Sequence, residues 1–111
     1  MTLTIQRSIF FVEDFDLQAE WYATHGDHEV AYRWLAAVET LLLMLATQPG
    51  VGRVRQFQHR ELAGMRSFRV NPPFDKYVVF YRFNESTLYA ERIVHGARDL
   101  PRRLLQRSGT D

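Results

Sequence analysis

The sequence predicts a two-layer α+β domain: an N-terminal strand and an antiparallel helical hairpin packed on a mostly antiparallel four-stranded sheet, closed by a short C-terminal helix. Three observations predict it. Residues 9–45 carry two apolar stripes at helical spacing, separated by one Gly-Asp step. Residues 65–95 hold three runs rich in β-branched and aromatic residues, joined by the turn segments NPPFD and NES. An apolar-polar alternation, LTIQ, precedes the first helix and supplies the fourth strand.

Each element has a local reason. Ser8 is placed to cap a helix from Ile9 to about His25, in which Phe11, Phe15, Ala19 and Tyr22 recur at helical spacing and Val12 and Trp21 widen the stripe. The acidic residues of this helix, Asp14 and Glu20 among them, are read as a solvated face. Gly26 stops the helix, Asp27 caps the next, and Glu29 sits in its favourable first turn. The second helix is marked by Ala31, Trp34, Leu35, Val38, Leu41, Leu42 and Leu45, until QPG breaks it. Residues 49–64 show no sustained period and read as a loop with a turn of helix near Gln58 to Leu62. The strands MRSFRV (65–70), KYVVFYRF (76–83) and TLYAERIVH (87–95) then form a meander, with the middle one apolar on both faces. Arg82, set among these apolar residues, needs a carboxylate or several carbonyls, and Glu91 across the hairpin is the expected partner. Asp99 and Pro101 suit the start of the last helix.

The 111 residues predict a single domain spanning 1–111, and 46% hydrophobic with 24% charged residues is a globular composition. Cysteine is absent, which excludes disulfides and thiolate chemistry. His25, His28 and His59 lack ligand spacing, so neither a metal nor another cofactor is expected. No basic leader and no uninterrupted apolar run of spanning length is evident, which predicts a soluble, cytoplasmic protein with no membrane partner. Net charge is only +1, but residues 1–48 carry seven acidic residues against Arg7 and Arg33, whereas twelve basic residues, eleven of them arginine, follow from Arg53 onward. Arginine favours bidentate contact with phosphate or carboxylate, pointing to a nucleic acid or an acidic protein partner.

The order of a helical hairpin ending in LATQPGVGR, a strand opening with LAGMRSFRV, a central YVVFYRF and a last strand running into RIVHGARDLPRRLL resembles the RelE/ParE superfamily of type II toxin-antitoxin toxins. The resemblance covers nearly the whole chain. It implies a small bacterial toxin held as a hetero-oligomer by a cognate, ParD-like antitoxin. RelE-like members cut messenger RNA on the ribosome, and ParE-like members poison DNA gyrase. RelE-like nucleases have a lysine-rich second strand, an arginine early in the third, an arginine beyond the fourth and in some members a terminal tyrosine. Here those places offer Arg66 and Arg69, then Lys76, then Arg98, and the terminal helix has no tyrosine. The YRF centre and HGARDLP ending look more like the ParE branch.

Two chemistries follow. A gyrase-binding toxin is not an enzyme, and Arg98, Arg102, Arg103 and Arg107 are its candidate target contacts; Arg103 and Arg107, four apart, share one side of a helix. A nuclease would instead need a proton acceptor and a phosphate clamp, for which Arg66, Arg69, His95 and Arg98 are the candidates. His95 also suits a structural strand end, with Gly96 freeing the turn, or a protein contact. Trp21, Trp34, Arg66 and Arg69 are the candidate antitoxin contacts, since aromatic anchors dominate such interfaces. A third reading is a non-toxic antitoxin-binding module.

Overall fold

The computed structural model describes residues 1–96 and Leu104. Along the chain run β1 (Thr4–Arg7), α1 (Ile9–His25), α2 (His28–Thr47), β2 (Arg53–Val54), β3 (Arg66–Arg69), β4 (Tyr77–Phe83) and β5 (Thr87–His95), with 3₁₀ turns at Pro49–Val51 and Arg60–Leu62. The sheet is five-stranded in the order β1-β5-β4-β3-β2. This corrects the expected four strands: Arg53 and Val54 pair with Ser67 and Arg66 inside the stretch predicted to be a loop. All pairings are antiparallel except β1 with β5.

Ser8 caps α1 as expected, its hydroxyl accepting from the Phe11 N–H at 3.0 Å and donating to the Glu91 carbonyl at 2.7 Å. Asp27 caps α2 by accepting from the Val30 N–H at 2.9 Å. By length and a mean hydropathy of 1.4, α2 is long and apolar enough to cross a membrane, contrary to the expectation that no segment is. That apolarity serves the core, because Trp34, Val38, Leu41, Leu42, Leu45 and Ala46 are buried. Leu35, counted in the stripe, is exposed, and on α1 so are Val12 and Trp21.

The helices cover one face of the sheet, where Phe11, Trp34, the α2 leucines, Val79, Tyr81, Leu88, Ala90 and Ile93 make the main core. A smaller core of Leu62, Met65, Phe80, Val94 and Leu104 lies on the other face. Ala90 and Ile93 share the main core although three apart, which a regular strand forbids. A bulge explains it: Phe80 faces Arg92 but Tyr81 faces Ala90, so Glu91 is the extra residue and the alternation of β5 reverses beyond it. Arg92 is thereby turned to the face opposite Ile93.

Tyr81 fixes the turn after α2. Its hydroxyl accepts from the Gly52 N–H at 2.9 Å and donates to the Pro49 carbonyl at 2.7 Å. A Cβ on Gly52 would lie 2.2 Å from that hydroxyl, so only glycine allows the approach. Arg82 finds the partners its setting demands: Nε lies 3.3 Å from Glu91 Oε2, and the terminal nitrogens donate to the carbonyls of Ala63 and Glu61.

Candidate functional site

The charge asymmetry of the sequence becomes an asymmetry of faces, with acidic residues concentrated in the helical layer and arginines along β2 and β3. Arg53 of β2 and Arg55 just beyond it line one face with Val51 of the preceding turn, and alternation along β3 adds Ser67 and Arg69. With Phe68, Val78, Phe80 and Gly96 they line an open groove of about 590 Å³ on the face away from the helices. None of the described lining residues is acidic. Arg55 is held over the Phe80 and Phe57 rings at 5.6 and 5.8 Å and donates to the Ser67 hydroxyl at 3.3 Å. Burial, and then repulsion from Arg53, lowers the Arg55 pKa. Arg69 is anchored by donating to the Asp75 carbonyl at 2.8 Å.

On the opposite face a cleft of about 390 Å³ opens between α1 and the ends of β4 and β5, lined by Asp14, Leu17, Gln18, Trp21, Trp34, Tyr77, Ile93 and His95. Tyr77 packs edge-on against Trp34 at 4.9 Å and against His95 at 4.9 Å. Burial first, and then the neighbouring Tyr22 hydroxyl, pushes Tyr77 up to about 12 against an opposing contribution from Gln18. Tyr81 is also raised by burial, opposed by the Gly52 N–H and Arg66. Raised pKa values make the folded state hold protons that the unfolded chain releases. Stability from Tyr77 is therefore complete below pH about 10 and is lost as pH climbs toward about 12. In an ultraviolet titration of the folded protein, Tyr77→Phe and Tyr81→Phe should each remove one group that ionises above pH about 10. Loss of a group that ionises at or below pH about 10 from either variant would contradict this.

Where the cleft meets the sheet edge, Asp14 and Arg92 form a buried pair, each side chain 9% exposed. Arg92 Nε donates to Asp14 Oδ2 at 2.7 Å and Nη2 to Oδ1 at 2.9 Å, the fork geometry of a strong pair. The Ile93 N–H also donates to Asp14 Oδ2, at 2.9 Å. It does so because β1 pairs with β5 only as far as Ala90. Arg92 Nη1 donates to the Leu104 carbonyl at 3.2 Å. One guanidinium thus joins α1, β5 and the C-terminal segment. Reading Asp14 as part of a solvated face was wrong for this reason.

The structure separates the residues suggested for a nuclease. Arg69 faces the groove, as its β4 neighbour Val78 does, whereas His95 pairs with Tyr77 and faces the cleft on the other side. Arg66 pairs with Tyr81, toward the far end of the sheet. There it donates to the Gly50 and Gly52 carbonyls at 3.1 and 3.0 Å, with its guanidinium 5.5 Å from the Phe83 ring. His95 is exposed at the strand end, followed by Gly96 at φ +76°, where left-handed backbone favours glycine. Arg98, Arg102, Arg103 and Arg107 lie outside the described residues.

Of the aromatic candidates for partner contact, Trp34 must be withdrawn. It is fully buried, its ring packed on Phe15, Tyr22, Phe74 and Tyr77 and its indole N–H donating to the Phe15 carbonyl at 3.3 Å. Trp21 is 52% exposed, stacked on His25 at 4.6 Å, with Leu17 beside it at 50%. Among the described residues no group of three or more His, Cys, Asp or Glu side chains could hold a metal ion. Sequence reading missed Arg53, Arg55 and Tyr77; the period-two spacing of arginines in GRVR was the available signal for the first two.

The family model described as the ParE toxin of the type II toxin-antitoxin system parDE matches residues 10–100. Among solved structures, a chain of the chromosomal ParDE toxin-antitoxin system from P. aeruginosa superposes with a TM-score of 0.69 at 14% identity, covering 86% of this chain and 98% of that one. At that identity the likeness speaks for the fold. A search of curated protein sequences returns no match.

Proposed function

Because the chain belongs to the ParE toxin family of type II toxin-antitoxin systems, we propose that it inhibits DNA gyrase in the cytoplasm, without catalysing a reaction, and is neutralised by a cognate antitoxin. The observation that supports a non-enzymatic reading is the placement of His95. RNA cleavage requires a proton acceptor and a phosphate clamp within reach of one phosphodiester. Here the histidine faces the cleft, and among the described residues the arginine groove on the other face is lined by no histidine, carboxylate, lysine or tyrosine. Its described lining can hold an anion but offers no group suited to move a proton at neutral pH.

Arg98, Arg102, Arg103 and Arg107 are the proposed target contacts; Leu104, which stands among them in the sequence, is buried in the smaller core. Trp21 and Leu17, exposed beside the cleft, are the proposed anchors for an apolar residue of the antitoxin. A hetero-oligomer of toxin and antitoxin follows.

The test is a supercoiling assay with purified, antitoxin-free protein, scored for lost supercoiling and for trapped DNA cleavage. Inhibition reversed by antitoxin is the expected result. Glutamine at all four terminal arginines should weaken it by at least about tenfold, and at any one of them only a few-fold, because a spread charged contact weakens gradually. Growth arrest without any effect on supercoiling would overturn the proposal in favour of the ribosome.

A further inference from the structure

We propose that the open face of the sheet is a grip for the sugar-phosphate backbone of duplex DNA, with Arg53, Arg55 and Arg69 as its phosphate contacts. The proposal deepens the gyrase reading and rests on it only for which polynucleotide the toxin meets.

Three guanidinium groups surround one concavity, and among the described residues no carboxylate lines it. Four other arginines are matched with carboxylates, Arg7 with Glu39, Arg33 with Glu29, Arg82 with Glu91 and Arg92 with Asp14, and Arg66 donates to the Gly50 and Gly52 carbonyls. Burial first, and then repulsion from Arg53, lowers the Arg55 pKa, as two cations two residues apart on one face would do. An anionic ligand would relieve that repulsion.

Two of the three groups are already fixed. Arg55 rests on Phe57 and Phe80 and donates to Ser67, and Arg69 donates to the Asp75 carbonyl. Each guanidinium has five N–H donors, so one anchoring bond leaves the outer edge for a ligand oxygen. Arg53, exposed on β2, has no carboxylate partner among the described residues. Anchored forks bind phosphate with less lost side-chain freedom than lysines would.

The remaining lining selects among anionic partners. Single strands are held by aromatic rings on which bases stack, but Phe80 is fully buried, Phe68 packs against the main core and Phe57 lies beneath Arg55. Base edges are read by amide and other polar side chains, and the described lining has only Ser67, which Arg55 occupies. An acidic peptide would need pockets for its apolar anchors, and the floor between the arginines is Val78 and the buried Phe80. What is left is a sequence-independent contact to a regular phosphate backbone.

Fluorescence anisotropy of a short labelled duplex, titrated with the full chain free of antitoxin at several salt concentrations, tests this. Affinity should fall steeply with salt, and the log-log slope should shrink by about 0.9 for each arginine replaced. Arg53→Gln/Arg55→Gln/Arg69→Gln should weaken binding by about tenfold or more. Arg7→Gln/Arg33→Gln, removing two cations of the helical side, should change it by less than about twofold. Arg53→Glu alone, at an exposed position where folding is not at stake, should weaken binding several-fold. The inference fails if the duplex is not bound at low salt, if the triple variant or Arg53→Glu binds as the parent does, or if a single strand is preferred. It fails equally if the triple variant loses an acidic antitoxin peptide but keeps DNA. A protein that grips DNA through these arginines yet leaves supercoiling untouched would overturn the gyrase reading and leave this one standing.

Discussion

Arg92→Met is expected to lower folding stability by about 3–5 kcal/mol, because it leaves the Asp14 carboxylate buried without its counter-ion. Both side chains are 9% exposed, so water is poorly placed to replace the lost bonds. The same substitution removes the donor to the Leu104 carbonyl as well. Asp14→Leu/Arg92→Met should recover part of the loss, since an apolar pair carries no desolvation penalty. It should not recover all of it. The Ile93 N–H, which has Asp14 as its acceptor beyond the end of β1, would be orphaned at about 1–3 kcal/mol. Urea unfolding of the parent, both single variants and the double variant closes the cycle. A loss below about 1 kcal/mol for Arg92→Met would show that the pair contributes little.

The second large effect is at Trp34. Trp34→Ala should cost about 3–5 kcal/mol, from lost apolar burial and the cavity left behind. The ring is 0% exposed and meets Phe15, Tyr22, Phe74 and Tyr77, so it joins both helices, the turn before β4 and β4 itself. A loss of that size is a large part of the about 5–15 kcal/mol that holds a small domain together, and the variant should be partly unfolded at 37 °C. Trp34→Phe should retain most of the stability and lose the bond to the Phe15 carbonyl. A urea midpoint for Trp34→Ala within error of the parent would contradict the central place assigned to this ring.

The two helices were legible because caps and periodicity agreed: Ser8 and Asp27 begin helices within one residue of the expected starts, and β5 runs over the expected residues 87–95. β2 was not legible. A two-residue strand has no period to detect, and its pairing depends on Tyr81 holding the preceding turn, a contact between residues far apart in the chain. The bulge at Glu91 was hidden for a similar reason, since a strand read in isolation has no register. Asp14 could have been suspected, because it stands three residues from Phe11 and one from Phe15, at the border of the apolar stripe. Trp34 stood in the middle of its own stripe, and spacing alone placed it in the core. Of the candidate site, the sign of the charge was visible in the sequence. The gathering of Arg53 and Arg55 with Arg69, and the parting of His95 from them, needed the pleat and order of the assembled sheet.

The parallel pairing of β1 with β5 also sets a schedule for the ribosome that makes this protein. Thr4 pairs with Thr87, so the strand synthesised first waits for the strand synthesised last. At about 5–20 residues per second, seconds pass before its partner exists. During that interval Leu3 and Ile5, which pack on the main core once the sheet is closed, lack the strand that seats them. A nascent chain therefore lacks this pairing, and the seat it gives Leu3 and Ile5, until β5 has left the ribosome.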